Sequence, residues 1–175
     1  MRAAIFQLIH ERLQMLQDGD APVIRHYDIF NEQVVYSEQE QPFLCPAVFV
    51  EFSDIDWQKQ LHGVREAVVT VRLHVVIDTR VGRWQDTVAQ LSLLDDINRA
   101  LHSAYQVGAD DAIGNMAVEE SFSVAHAANS NQRPPSVIND ITLHRSITDH
   151  DFGELADHIE EYQCHVTDTS AYDRF

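Results

Sequence analysis

The sequence predicts an α+β domain: a mixed or antiparallel sheet with an N-terminal helix and one long helix packed on one side of it. Three observations carry this expectation. Residues 65–79 alternate at period two, with Val69, Val71, Leu73, Val75 and Ile77 on one face and Val68, Thr70, Arg72, His74 and Val76 on the other. Residues 84–105 repeat instead at three- and four-residue spacing through Trp84, Val88, Leu91, Leu94, Ile97, Leu101 and Tyr105, the pattern of an amphipathic helix. Runs of strands lie on both sides of that helix without regular strand–helix alternation, which favours α+β over a doubly wound order.

The remaining elements follow in chain order. Residues 2–17 read as an amphipathic helix through Ile5, Leu8, Ile9, Leu13 and Leu16. It is stopped at Asp18-Gly19-Asp20-Ala21-Pro22, where Gly19 suits the position after a C-cap and Pro22 cannot continue a helix. Residues 23–27 and 33–36 read as short strands. Pro46 opens a strand to residue 52 with Val48, Val50 and Phe52 on one face. Residues 53–60 are expected as a loop leading to a turn near His62-Gly63. The half-polar face of the 65–79 strand implies one side on a core and the other side open or in an interface.

Beyond the long helix, Gly108 closes the helical region. A strand is expected over 116–126, then a polar connector over 128–135 and a last strand over 136–148. In that last strand, simple alternation puts Val137, Asn139, Ile141, Leu143 and Arg145 on one face. One domain is expected over 1–150, followed by an acidic extension over 151–175. Within the extension, Leu155, Ile159 and Tyr162 suggest a short helix over 154–162, and the last residues read as mobile.

Composition excludes several classes of function. Of 175 residues 28 are Asp or Glu and 12 are Lys or Arg, a formal net charge of −16. A protein that binds duplex by displacing phosphate counterions needs the opposite balance, and anionic membrane surfaces are disfavoured for the same reason. No apolar run is long enough to span a bilayer, and Gln7, His10, Glu11 and Arg12 interrupt the N-terminus too early for a signal peptide. A cytoplasmic location at synthesis is therefore expected. Cys45 and Cys164 lie far apart outside any CxxC motif and read as two independent buried thiols.

The search for chemistry assigns no catalytic, cofactor-binding or metal residue. Ten histidines invite a metal reading, but no HExxH occurs, and the nearest cluster, Asp149-His150-Asp151 with His158, lacks a second histidine at helical spacing. The carboxylate pairs Asp54/Asp56, Asp95/Asp96 and Glu119/Glu120 are expected by composition alone. No nucleophile elbow or glycine-rich phosphate loop is present. Arg80, Gly82 and Arg83 ahead of the long helix suit an anion, although a turn whose arginines balance acidic neighbours explains them as well. Phe43, Trp57, Phe152, Tyr172 and Phe175 fall in expected loops or the tail, as satellite core or as anchors of a subunit contact.

The element order resembles the tail-terminator and tail-completion, or head–tail joining, proteins of long-tailed bacteriophages. Ala67-Val68-Val69-Thr70-Val71-Arg72-Leu73-His74-Val75-Val76-Ile77, followed closely by the helix, looks like that family's central strand and crossover. Ile138-Asn139-Asp140-Ile141-Thr142-Leu143 resembles its final strand. The similarity covers roughly residues 2–148, and the chain after Asp149 departs from the pattern.

The resemblance implies a structural subunit that forms a homo-oligomeric ring, commonly a hexamer, at the head-proximal end of the tail tube. Tail-tube and head-completion proteins would be its partners, and the virion tail its destination. It implies no cofactor and no enzymatic step, with subunit contacts at the half-polar face of the 65–79 strand and at the 126–136 connector. The competing readings are a non-catalytic adaptor of a phage-tail-related contractile or secretion system and a small metal-dependent enzyme.

Overall fold

A computed structural model describes residues 1–34, 43–59, 64–102, 136–152 and 154–168. The strand expected over 116–126, the 126–136 connector, the turn at His62-Gly63, Val35-Tyr36 and Tyr105 lie outside the described residues. The architecture is α+β. Helix α1 (Arg2–Gln14) leads into a small hairpin of β1 (Gln17–Asp18) and β2 (Ala21–Pro22). Then come β3 (His26–Ile29), β4 (Ala47–Lys59) and β5 (Arg65–Asp78), a 3-10 turn over Gly82–Gln85, and α2 (Thr87–His102). A hairpin of β6 (Ser136–Phe152) and β7 (Leu155–Asp168) follows.

Among the described residues the main sheet has five strands in the order β3-β4-β5-β7-β6. Only β3 runs parallel to its neighbour; the other three pairings are antiparallel. Both helices pack on one face. There Ile5, Leu8, Ile9 and Leu13 of α1 and Leu93, Ile97 and Leu101 of α2 meet Val48, Val50, Val69, Val71, Leu73, Val75, Ile77, Ile138, Ile141, Tyr162, Cys164 and Val166. Each such aliphatic side chain, when fully buried, contributes about 1.5–3 kcal/mol. The inward face of β5 is the one its period-two alternation marks. Among the described residues no helix is long and apolar enough to cross a membrane.

Four differences from the sequence expectation have physical causes. Helix α1 ends at Gln14 because Gln17 and Asp18 are drawn into the hairpin with Ala21 and Pro22, with Gly19 at φ 65° in the left-handed region that its missing Cβ permits. The expected 53–60 loop is strand: β4 continues to Lys59 across a bulge between Phe52 and Ile55, and Ile55 and Trp57 pack against the core. Helix α2 begins at Thr87, after the 3-10 turn, and buries Gln90, Leu93, Ile97 and Leu101 while Val88 and Leu91 face outward. In β6, register shifts at Ile138/Asp140 and Leu143/Arg145 turn the alternation over, so that Ile138, Ile141 and Leu143 share the helix side and Asp140, Thr142 and Arg145 the other.

The largest correction concerns residues 154–162. They are not a helix in an appended tail: Glu154 lies in the turn and the rest belong to β7, hydrogen-bonded to β5 from Leu155 to Asp168 and to β6 on its other side. The 155–168 segment therefore belongs to the same sheet as the strands before it. Its inward residues are Ala156, His158, Glu160, Tyr162, Cys164 and Val166, a period-two row that two polar members conceal.

Both cysteines are free, Cys164 fully buried and Cys45 half-buried. Burial pushes the Cys45 thiol up to about 11, with Asp78 adding to it, and the Cys164 thiol up to about 12, with Asp140 adding. Since the thiolate is the nucleophile, neither is expected to take up iodoacetamide at neutral pH in the folded protein, and both should do so in urea. Intact-mass measurement of the two samples checks this; rapid labelling of native Cys164 would show that β7 is not packed as described.

Candidate functional site

Among the described residues, the sheet face opposite α1 and α2 carries a set of tied polar side chains. At one end it is covered: Val34, Ala47, Phe49 and Val76 form a second small core with Phe30, Phe43, Cys45 and Leu155. Phe43 meets Phe49 edge-on at 5.0 Å and 83°, so this aromatic is satellite core. Trp57, expected in a loop, lies in β4 and packs on the main core.

Beyond the covered end a polar ladder crosses three strands. Arg72 Nε donates to Glu161 Oε2 at 2.9 Å, and Arg72 Nη1 approaches Glu51 Oε2 at 3.4 Å. The register produces this directly, because Arg72 is paired with Glu51 on one side and Glu161 on the other. One register step away, His74 Nδ1 lies 2.8 Å from Asp157 Oδ2 and Nε2 lies 3.4 Å from Glu51 Oε2. Phe30 stacks on the His74 ring at 3.8 Å and 6°, marking where the covered part ends. His74 and Asp157 are buried, whereas Arg72 is substantially exposed. Past the ladder the face opens: Val68 is 43% exposed, and Thr70, Gln163, His165, Asp140 and Thr142 are exposed or half-buried.

Under α2 lies a second polar group. His158 is within hydrogen-bond distance of Thr148 Oγ1 at 3.0 Å and approaches Gln90 Oε1 at 3.4 Å, while Gln90 Nε2 donates to the Trp84 carbonyl at 2.7 Å. Ser146 Oγ donates to Glu160 Oε2 at 2.8 Å. These bonds explain why Gln90 turns inward while Val88 and Leu91 do not: the buried histidine and the freed Trp84 carbonyl need partners.

Burial pushes the Glu160 carboxyl above the ordinary glutamate range; the Ser146 hydroxyl opposes that shift and Asp95 adds to it. An acid with a raised folded pKa binds its proton more readily folded than unfolded. Its contribution to stability is therefore complete below the ordinary glutamate range and is lost as pH rises through the folded pKa. Glu160→Gln should stabilise the protein near neutral pH by about 1–2 kcal/mol, with the gain disappearing in acid, where Glu160 is itself neutral. Urea midpoints at the two pH values test this; an equal gain at both would show that ionisation is not the cause.

The anion reading of Arg80, Gly82 and Arg83 finds its arginines engaged elsewhere. Arg80 binds Asp78 at 3.0 Å and also Glu154, and its guanidinium holds the Asp78 carboxyl below the usual range. Arg83 pairs with Asp18 at 3.1 Å and lies 4.4 Å from the Trp84 ring centre. Gly82 takes φ 58° to open the 3-10 turn. Among the described residues no three His, Cys, Asp or Glu side chains converge to hold a metal ion. His158 and His165 project from opposite faces of β7, and His62 lies outside the described residues.

Sequence reading picked out the half-polar face of β5 but not its partners. Glu51 falls within the expected strand to residue 52 without being singled out, and Asp157 and Glu161 fall within the expected 154–162 helix. The available signal was the alternation of residues 155–166, masked by a competing helical spacing of Leu155, Ile159 and Tyr162. No protein-family model matches this chain, and no curated protein matches it.

Proposed function

We propose that this chain is a structural subunit of a phage or prophage tail. In this reading it forms a homo-oligomeric ring at the head-proximal end of the tail tube and contacts tail-tube and head-completion proteins. The observation that supports it is the asymmetry of the sheet. Both helices cover one face, and the other presents an ion-pair ladder leading into an open area of mixed polar and apolar side chains. Such a face suits a protein contact, with charged groups fixing register and orientation. The element order that resembles tail terminators supports the same reading. A head-to-tail contact that closes on itself makes a ring, placing this face against a different patch of the neighbouring copy.

The test is the mass of the purified chain by light scattering, with negative-stain images of the same sample. A single large species seen as rings is expected, and Thr70→Glu, which adds charge to the open area, should dissociate it. A chain that stays monomeric at every concentration, alone and with its tail-tube partner, would sink the reading.

A further inference from the structure

We propose that strand β6 is a self-association edge, at which two copies join β6 to β6 antiparallel about a two-fold axis at Thr142 and continue the sheet from one copy into the other. This goes beyond the tail-ring reading and does not depend on it. Strand β6 is outermost in the sheet, and among the described residues no strand pairs with its outer side. A row of strand N–H and C=O groups without a ladder is a template for a further strand.

The side chains along β6 indicate which strand fits. Of its three register shifts, the two that flank Thr142 leave one extra residue on each side of it: Asn139 and His144. With those two set aside, the helix-free face reads Asp140, Thr142, Arg145 and the helix side reads Ile138, Ile141, Leu143, Ser146. About an axis at Thr142, Ile141 of one copy meets Leu143 of the other on the helix side. On the opposite face Asp140 meets Arg145. Each contact occurs twice, because the arrangement is isologous.

Among the described residues these charges lack good partners within one chain. Asp140 Oδ1 has no hydrogen bond, and the nearest base, His165 Nε2, is 4.0 Å away, too far to donate one. Arg145 is exposed, and Glu161, its neighbour on β7, is already bonded by Arg72 at 2.9 Å. One acid and one base thus stand at equal steps from Thr142 on the same face. For a chain of net charge −16 this matters, since two such molecules repel. An edge whose acid and base interchange under a two-fold axis offsets that repulsion locally. Leu143 and Ile147, each 37% exposed, flank the seam on opposite faces.

Sedimentation equilibrium of the full chain over a dilution series tests the proposal, with circular dichroism as the check on folding. The wild type should associate at least to a dimer. Asp140→Arg or Arg145→Asp alone sets like charges opposite each other at two places, and either should weaken dimerisation by at least about tenfold. The double variant Asp140→Arg/Arg145→Asp restores both pairs and should recover the wild-type association. The proposal is overturned by a wild type that stays monomeric, by single variants that associate as the wild type does, or by a double variant that fails to recover. Rings that form regardless of these substitutions would leave the tail reading standing and remove this one. Dimers that follow the charge pattern without ever forming rings would do the reverse.

Discussion

A chain cut after Phe152 is expected not to fold, giving a disordered circular dichroism spectrum or insoluble protein in place of a cooperative unit. The physical reason is the place of β7 between β5 and β6. Its removal leaves the β5 edge unpaired from Arg65 to Asp78 and detaches β6, which has no other partner strand among the described residues. Ala156, Tyr162, Cys164 and Val166 leave the core with it. Loss of the tyrosine alone is worth about 3–5 kcal/mol by analogy with other aromatic truncations, against a total stability of about 5–15 kcal/mol for a typical domain. A truncated chain melting cooperatively at the wild-type temperature would refute the central placement of β7.

Tyr162 should separate the value of a buried ring from the cost of its hydroxyl. The side chain is 1% exposed and is among the largest fully buried ones. Tyr162→Ala is expected to destabilise by about 3–5 kcal/mol, since the surrounding core, which includes Val71 and Cys164, cannot close the hole completely. Tyr162→Phe should be neutral or stabilising by about 1 kcal/mol, because the phenol oxygen is buried without a hydrogen-bond partner. The same burial, with Glu160 adding to it, raises the phenol pKa well above its ordinary value, so the side chain stays neutral. Urea unfolding of the two variants provides the comparison. A Phe variant as unstable as the Ala variant would mean that the hydroxyl has a partner.

How much of this was legible depended on whether local pattern and tertiary position agreed. In β5 they agree: Val69, Val71, Leu73, Val75 and Ile77 are each fully buried, and strict alternation marks them without ambiguity. In α2 they agree only in part. The stripe through Leu94, Ile97 and Leu101 lies on the core, but Val88 and Leu91 turn outward because Gln90 answers a polar demand from β7 that no local pattern records. In β7 they conflict. His158 and Glu160 occupy inward positions usually held by aliphatic residues, and what permits them is the presence of Thr148, Ser146 and Gln90 on other elements.

The candidate surface divides the same way. The half-polar alternation of β5 shows that one of its faces is unlike the other, and that is visible residue by residue. The ladder itself is not visible, because Arg72 is separated from Glu161 by 89 positions and His74 from Asp157 by 83. Register, set along the whole length of the paired strands, brings these groups to neighbouring rungs.

The sequence by itself determined the acidic charge, the α+β class, the first helix and the long strand of residues 65–78, since each rests on composition or on a period shorter than one element. Tertiary structure alone decided that β7 is an inner strand, that β4 runs on through its bulge, and that bulges turn β6 over so that Asp140 and Arg145 share a face. Those outcomes depend on which strand lies alongside which. A strand with a mixed polar and apolar row acquires its inward face only from the partner that satisfies its polar members, and that partner is distant in the chain.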